Sequence, residues 1–217
     1  MSKEYILFDL DGTLTDPKIG ITSSVAYSLE SFGIKVNSLD DLICFIGPPL
    51  KESFMVYYGM DDEQAELAVA KYRERFAPIG IFENEVFEGI VHMLERLKNA
   101  GKIIALATSK PEIFAKQIME HFDLAKYCTF MAGSELDGSR VNKADVITYC
   151  LENLGVSDPA KAIMVGDRKH DILGAKKNGL ESVGVLFGYG SREEHENAGA
   201  DHIVSDVAQL EALLLNM

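Results

Sequence analysis

Asp9-Leu10-Asp11-Gly12-Thr13 places two carboxylates two residues apart, directly after the apolar run Tyr5-Ile6-Leu7-Phe8. A short, uncharged, aromatic-bearing run of this kind reads as a strand buried on both faces. Side chains alternate along a strand, so Asp9 and Asp11 point the same way and share one small site. One carboxylate can attack phosphorus while the other protonates the departing oxygen, which divides a difficult hydrolysis into two easier steps. Gly12 has no Cβ and lets backbone N–H groups come close to a phosphate. The plainer reading of the same stretch is a strand closed by an Asp-Gly turn.

Further candidates follow later apolar runs. Thr108-Ser109-Lys110-Pro111-Glu112 comes after Ile103 to Ala107, and a hydroxyl with free N–H groups at a helix N-terminus makes an anion site. Ser109 with Glu112 three residues on also fits an ordinary capping box. Asn142-Lys143 reads as an N-cap followed by a lysine in the first helical turn, where the helix dipole normally favours acids. Such a lysine can neutralise a phosphate, or can simply be a solvated surface side chain. Gly166-Asp167-Arg168-Lys169-His170-Asp171 puts Asp167 at a strand tip and Asp171 in the first turn of a helix, where an acid also suits the dipole. Asp9, Asp11, Asp167 and Asp171 cannot all converge on a phosphate dianion without a hard cation, and oxygen ligands of this kind suit Mg²⁺.

The elements that must position these residues fall into two blocks. From about residue 17 to 84 the periodicity is helical throughout: Ile21, Val25, Leu29 and Phe32 form one stripe, Leu50, Phe54 and Tyr57 or Tyr58 a second, and Ala65, Ala68, Val69, Tyr72 and Phe76 a third. Asp16-Pro17 fits an N-cap with proline at the first helical position. From Glu85 onward, helical segments (86–100, 111–122, 143–154, 171–178) alternate with apolar runs (103–107, 127–131, 162–165, 182–187). That alternation predicts an α/β fold, a parallel sheet with helices on both faces. The expected domains are a core of 1–16 with 85–217 and a helical insert of 17–84. In such a sheet ligands bind beyond the carboxyl ends of the strands, where every candidate above stands.

Composition narrows the function. The 217 residues carry 21 Lys and Arg against 34 Asp and Glu, a formal net charge of −13, which disfavours nucleic acid and anionic membrane surfaces as partners. A small anionic substrate remains compatible if cations are gathered locally. No apolar run approaches the roughly 20 residues of a membrane span. Cys44, Cys128 and Cys150 have neither ligand nor redox spacing and point to a reducing, cytoplasmic setting. His92, His121, His195 and His202 lack triad spacing and read as structural or solvent-exposed.

In sequence order, Asp9-x-Asp11-Gly12-Thr13, Thr108-Ser109, Lys143 and Gly166-Asp167-x-x-x-Asp171 resemble the four motifs of the haloacid dehalogenase (HAD) superfamily phosphatases, and the resemblance covers essentially the whole chain. It looks most like the phosphoglycolate phosphatase branch, which also contains nucleotidase-like enzymes. The resemblance implies a Rossmann-like core with a helical cap inserted after the first strand, and Mg²⁺-dependent hydrolysis of a small phosphorylated metabolite. Asp9 is then the nucleophile forming an aspartyl-phosphate, and Asp11 the acid that later serves as base for water. Asp9, Asp167 and the Asp11 carbonyl would ligate Mg²⁺, with Asp171 as ligand or neighbour to one. Gly12, Thr108, Ser109 and Lys143 would hold the phosphoryl group. Relatives often have proline after the lysine, where this chain has Ala144, and Arg140 offers another cation nearby. Lys110, Arg168 and His170 are rim candidates, each more often a solvated side chain. Lys51, in the turn-forming stretch Gly47-Pro48-Pro49-Leu50-Lys51, could meet an anionic leaving group. Alternatives are 5'-nucleotidase or pyrophosphatase activity, or phosphoryl transfer as in β-phosphoglucomutase. Carbon-halogen cleavage would not call for the second acid, and a silent regulator would have no reason to keep the nucleophile.

Overall fold

A computed structural model describes residues 2–217. In chain order the elements are β1 (Tyr5–Phe8), β2 (Thr15–Asp16), α1 (Lys18–Ser31), α2 (Leu50–Tyr58), α3 (Asp62–Phe76), β3 (Glu85–Val86), α4 (Ile90–Asn99), β4 (Ile103–Pro111), α5 (Glu112–His121), β5 (Phe130–Ser134), α6 (Lys143–Leu154), β6 (Ala162–Gly166), α7 (Lys169–Lys177), β7 (Glu181–Val185), α8 (Arg192–Ala198), β8 (His202–Val204) and α9 (Val207–Leu215). The chain divides into two compact units, one joining the segment up to Asp16 with Val86–Met217 and the other comprising Pro17–Glu85.

The first unit is a six-stranded sheet in the order β5-β4-β1-β6-β7-β8, with parallel pairing throughout. β1, with Ile6, Leu7 and Phe8 all fully buried, lies in the middle, as its continuous apolar run requires. From β1 the chain builds outward through β4 and β5, then returns to the other side of β1 for β6, β7 and β8. The crevice where the order reverses opens at the carboxyl end of β1. Leu7, Ala105, Ala107, Ala132 and Met164 pack with Val146, Ile147, Cys150 and Ala175 of α6 and α7. By strand alternation Ile6, Phe8, Ile104 and Leu106 occupy the opposite face.

The second unit is helical. α1 lies against α3, where Val25, Leu29, Ala65 and Ala68 are fully buried. Gly20 permits the approach of the chain after α3: a Cβ there would fall 2.0 Å from the Gly80 carbonyl oxygen. A capping box between Asp61 and Gln64 starts α3. Phe45, in a 3₁₀ segment (Leu39–Phe45), meets Phe54 edge-on at 5.0 Å.

Several expected boundaries move. β4 continues through Thr108, Ser109 and Lys110 to Pro111, so α5 starts only at Glu112. The expected capping box is absent: Pro111 precedes the helix without a side-chain cap, and Glu112 instead accepts from Lys116 at 2.6 Å and pairs with Arg140. The segment expected to be helical from Val86 first pairs as β3 with β2, and α4 starts after Gly89, whose φ of +87° breaks the helix. Tyr127 closes a 3₁₀ turn, and its strand starts at Phe130. Pro17, not Asp16, precedes α1, with no side-chain cap. β8, α8 and α9 were not expected.

His195 of α8 is fully buried beneath β7, in space that Gly184 leaves open; a Cβ on Gly184 would lie 2.6 Å from the imidazole Cγ. Burial lowers the pKa of this imidazole, only partly opposed by the Val185 carbonyl and Glu194. The unfolded chain therefore binds a proton below about pH 6.5 that the folded chain does not, so stability is lost as the pH falls through this range. Wild type should lose more of its urea midpoint between about pH 7.5 and 5.5 than His195→Gln. Equal losses would contradict a buried neutral His195.

Candidate active site

Phe8 stands level with Leu106 on β4 and Val165 on β6, so β1 and β6 end at nearly the same height while β4 runs on beside them to Pro111. Asp9 and Asp167 follow β1 and β6 directly, and Thr108 lies two residues beyond Leu106. The Asp9 amide donates to the Val165 carbonyl at 2.9 Å, and the Leu10 carbonyl then accepts from the amides of Thr13, Leu14 and Thr15. Asp11 lies within this turn, close enough to Asp9 for their charges to interact.

Asp9, Asp11, Asp167 and Asp171 are all buried, and oxygens of Asp9, Asp167 and Asp171 lie within 4.8 Å of one another. Lys143, the first residue of α6, reaches in from the side. Its Nζ lies 2.7 Å from Asp9 Oδ1 and 2.8 Å from Asp171 Oδ1, and donates to the Ala107 carbonyl at 3.0 Å. The ammonium is thereby paired with both carboxylates at once. Burial opposes its charge, but Asp171 and Asp9 outweigh that and push its pKa up to about 12. Burial raises Asp167 well above the carboxylate range, with Asp171 and Asp9 adding to it. Burial also raises Asp11 and Asp171, against the opposing effects of Lys110 and Lys143 respectively.

Lys110, expected at the rim, is buried instead, with Nζ 2.5 Å from Asp11 Oδ2. Its signal was faint, because a lysine three residues past an apolar run is usually solvated. Tyr189, from the Phe187-Gly188-Tyr189-Gly190 stretch, was also missed. Its amide donates to Asp167 Oδ2 at 2.8 Å, and its phenol donates to Asp16 Oδ1. The glycines make this possible: a Cβ on Gly188 would fall 2.2 Å from the Gly12 carbonyl oxygen, and one on Gly190 1.9 Å from the Asp167 carbonyl oxygen.

Gly12 has φ +81°, and a Cβ there would land 2.1 Å from Asp167 Oδ2. Its amide donates to the Thr15 carbonyl at 2.8 Å. Its lack of a Cβ therefore leaves room for Asp167. Thr108 is buried and accepts from the Lys110 amide at 3.2 Å, while Ser109 is half-buried at the same strand end. Arg140 is turned to Glu112 and Glu135 and stacks on Tyr149 at 3.7 Å, and Arg168 pairs with Glu194 at 3.0 Å. His170 is half-buried. In the helical unit, Lys51 pairs with Asp62 at 2.7 Å and Glu66 at 2.9 Å, so its charge is already matched.

The donor set fits a hard divalent cation. Among the described residues, four buried carboxylates face the Lys143 and Lys110 ammoniums, which formally leaves two negative charges uncompensated. Asp167 Oδ1 and Asp11 Oδ1 are buried without a hydrogen-bond partner. Buried charge of this kind is tolerated only when paired or coordinated to metal.

Residues 6–185 match the family of haloacid dehalogenase-like hydrolases. The chain is 46% identical over 209 residues to a 5'-nucleotidase of Pseudomonas aeruginosa, spanning 96% of this chain and 94% of that one. It is 37% identical to the tyrosine-protein kinase PtkA of Mycobacterium tuberculosis, spanning 98% and 72%, and 30% identical to a phosphoglycolate phosphatase of Agrobacterium fabrum, spanning 84% and 80%. The crystal structure of a predicted phosphatase from Clostridium acetobutylicum superposes with a TM-score of 0.98 at 50% identity, covering all of both chains.

A methyl group on Gly12 strains a left-handed residue and displaces Asp167. Gly12→Ala should weaken divalent-cation binding about tenfold or more in a calorimetric titration. Unchanged affinity would contradict the close packing of Asp167 on Gly12.

Proposed function

The chain belongs to the haloacid dehalogenase-like hydrolase family and is a phosphatase of it; from that premise we propose that it hydrolyses small phosphate monoesters with Mg²⁺ through an aspartyl-phosphate. The observation that carries this reading is the convergence of Asp9, Asp11, Asp167, Asp171 and Lys143 in one buried site.

In this reading Asp9 attacks phosphorus while Asp11 gives its proton to the departing oxygen. Water then attacks the aspartyl-phosphate as Asp11 takes back a proton, and phosphate leaves Asp9 free. Proton transfer by a positioned carboxyl accelerates each half by about 10²–10⁴-fold. Lys143, Thr108 and Ser109 hold the phosphoryl oxygens. Asp9, Asp167 and the Asp11 carbonyl would hold Mg²⁺, with Asp171 bound to it or buttressing the set. When bound, the ion neutralises charge that builds on the transferring phosphoryl group.

For the substrate, the greater likeness to the 5'-nucleotidase, 46% identity against 30% for the phosphoglycolate phosphatase, supports nucleoside 5'-monophosphates first and phosphoglycolate second. The net charge of −13 supports small partners over nucleic acid.

Phosphate release from nucleoside monophosphates, phosphoglycolate, sugar phosphates and pyrophosphate, with Mg²⁺ or with chelator, tests this directly. The expected result is Mg²⁺-dependent release, greatest with a nucleoside monophosphate and reduced on the order of 10³-fold or more by Asp9→Asn. Isomerisation of β-glucose 1-phosphate without release of phosphate would move the assignment to a mutase. Release that persists in Asp9→Asn would remove Asp9 as nucleophile.

A further inference from the structure

We propose that Lys110 is a positioning residue for Asp11: its buried ammonium fixes one carboxyl oxygen, so that the other is the one presented to the leaving group. The inference rests on the phosphatase reading above and assigns a role to a residue outside the four motifs.

Lys110 lies at the end of β4, where the pairing with β5 shifts between Ala107 and Pro111. Along this stretch Thr108 and Lys110 are buried while Ser109 stays half-exposed. Thr108 Oγ1 accepts from the Lys110 amide at 3.2 Å and steadies the backbone there. Gly133 on β5 makes space for the displaced strand, since a Cβ on it would lie 2.8 Å from the Lys110 carbonyl oxygen.

An ammonium has donors and no acceptor. The 2.5 Å contact from Lys110 Nζ therefore makes Asp11 Oδ2 an acceptor, and any proton on this carboxyl resides on Oδ1. Asp11 Oδ1 is buried and has no hydrogen-bond partner among the described residues. In the first half-reaction an Asp9 carboxylate oxygen bonds phosphorus as the bond from phosphorus to the ester oxygen breaks, the electron pair of that bond stays on the ester oxygen, and the Oδ1 proton moves there. In the second, a water proton moves to Oδ1 while the water oxygen bonds phosphorus and the bond from phosphorus to Asp9 breaks. Lys110 keeps Oδ2 fixed and its own proton throughout.

The test uses single-turnover cleavage of AMP, whose departing alkoxide needs a proton, and of p-nitrophenyl phosphate, whose departing phenoxide does not. Lys110→Met should slow AMP cleavage by on the order of 10²-fold and p-nitrophenyl phosphate cleavage by less than about threefold, as expected for loss of a positioned acid. Lys110→Arg, which restores a donor, should recover part of the AMP rate. Equal losses on both esters, or no loss on either, would overturn the role. If Lys110→Met does not fold, Lys110→Gln is read by the same ratio, and an unchanged ratio again overturns it. Failure of wild type to cleave either ester, or phosphoglycolate, sugar phosphates and pyrophosphate, would instead refute the phosphatase reading itself.

Discussion

Everything in the α/β unit answers to one electrostatic constraint: four aspartates are held out of water at the end of β1. Like charges this close cannot all stay ionised unless cations are brought to them, and the chain brings Lys143 from the start of α6 and Lys110 from the end of β4. The remaining charge is what a divalent ion would remove. Stability and chemistry are thereby coupled, because the groups that make the site expensive to fold are those proposed to carry phosphoryl transfer.

The sheet order explains why these groups meet. β1 is flanked by β4 and β6, so residues far apart in sequence leave the sheet side by side. The short loops then depend on missing side chains. Gly12, Gly188 and Gly190 all press against Asp167 or its neighbours at distances no Cβ could occupy. Asp167 is thus enclosed by backbone, its Oδ2 held by the Tyr189 amide and its Oδ1 left for another partner.

Much of this was legible in the sequence because it is local. A buried run followed by acids at fixed spacing marks Asp9, Asp11, Asp167 and Asp171, and a lysine against the dipole at the start of α6 marks Lys143. What could not be read depends on distant partners. Asp16 looks like a helix cap, yet it receives the phenol of Tyr189, 173 residues away. Lys110 looks solvated until β4 runs on past Ala107 and Asp11 meets it from β1's end. Lys51 looks available until α3 brings Asp62 and Glu66 beside it. The C-terminal β8 has only three residues and α8 is mostly polar, so neither shows a period long enough to recognise.

The measurement that bears most directly on this account is chemical trapping of the intermediate. Protein quenched in acid during turnover of a nucleoside monophosphate is reduced with borohydride, which converts an acyl phosphate to an alcohol, and then digested for mass spectrometry. The account predicts conversion of Asp9 to homoserine in the peptide containing Asp9 and Asp11, dependent on both substrate and Mg²⁺. Conversion of any other carboxylate, or none during active turnover, would contradict it.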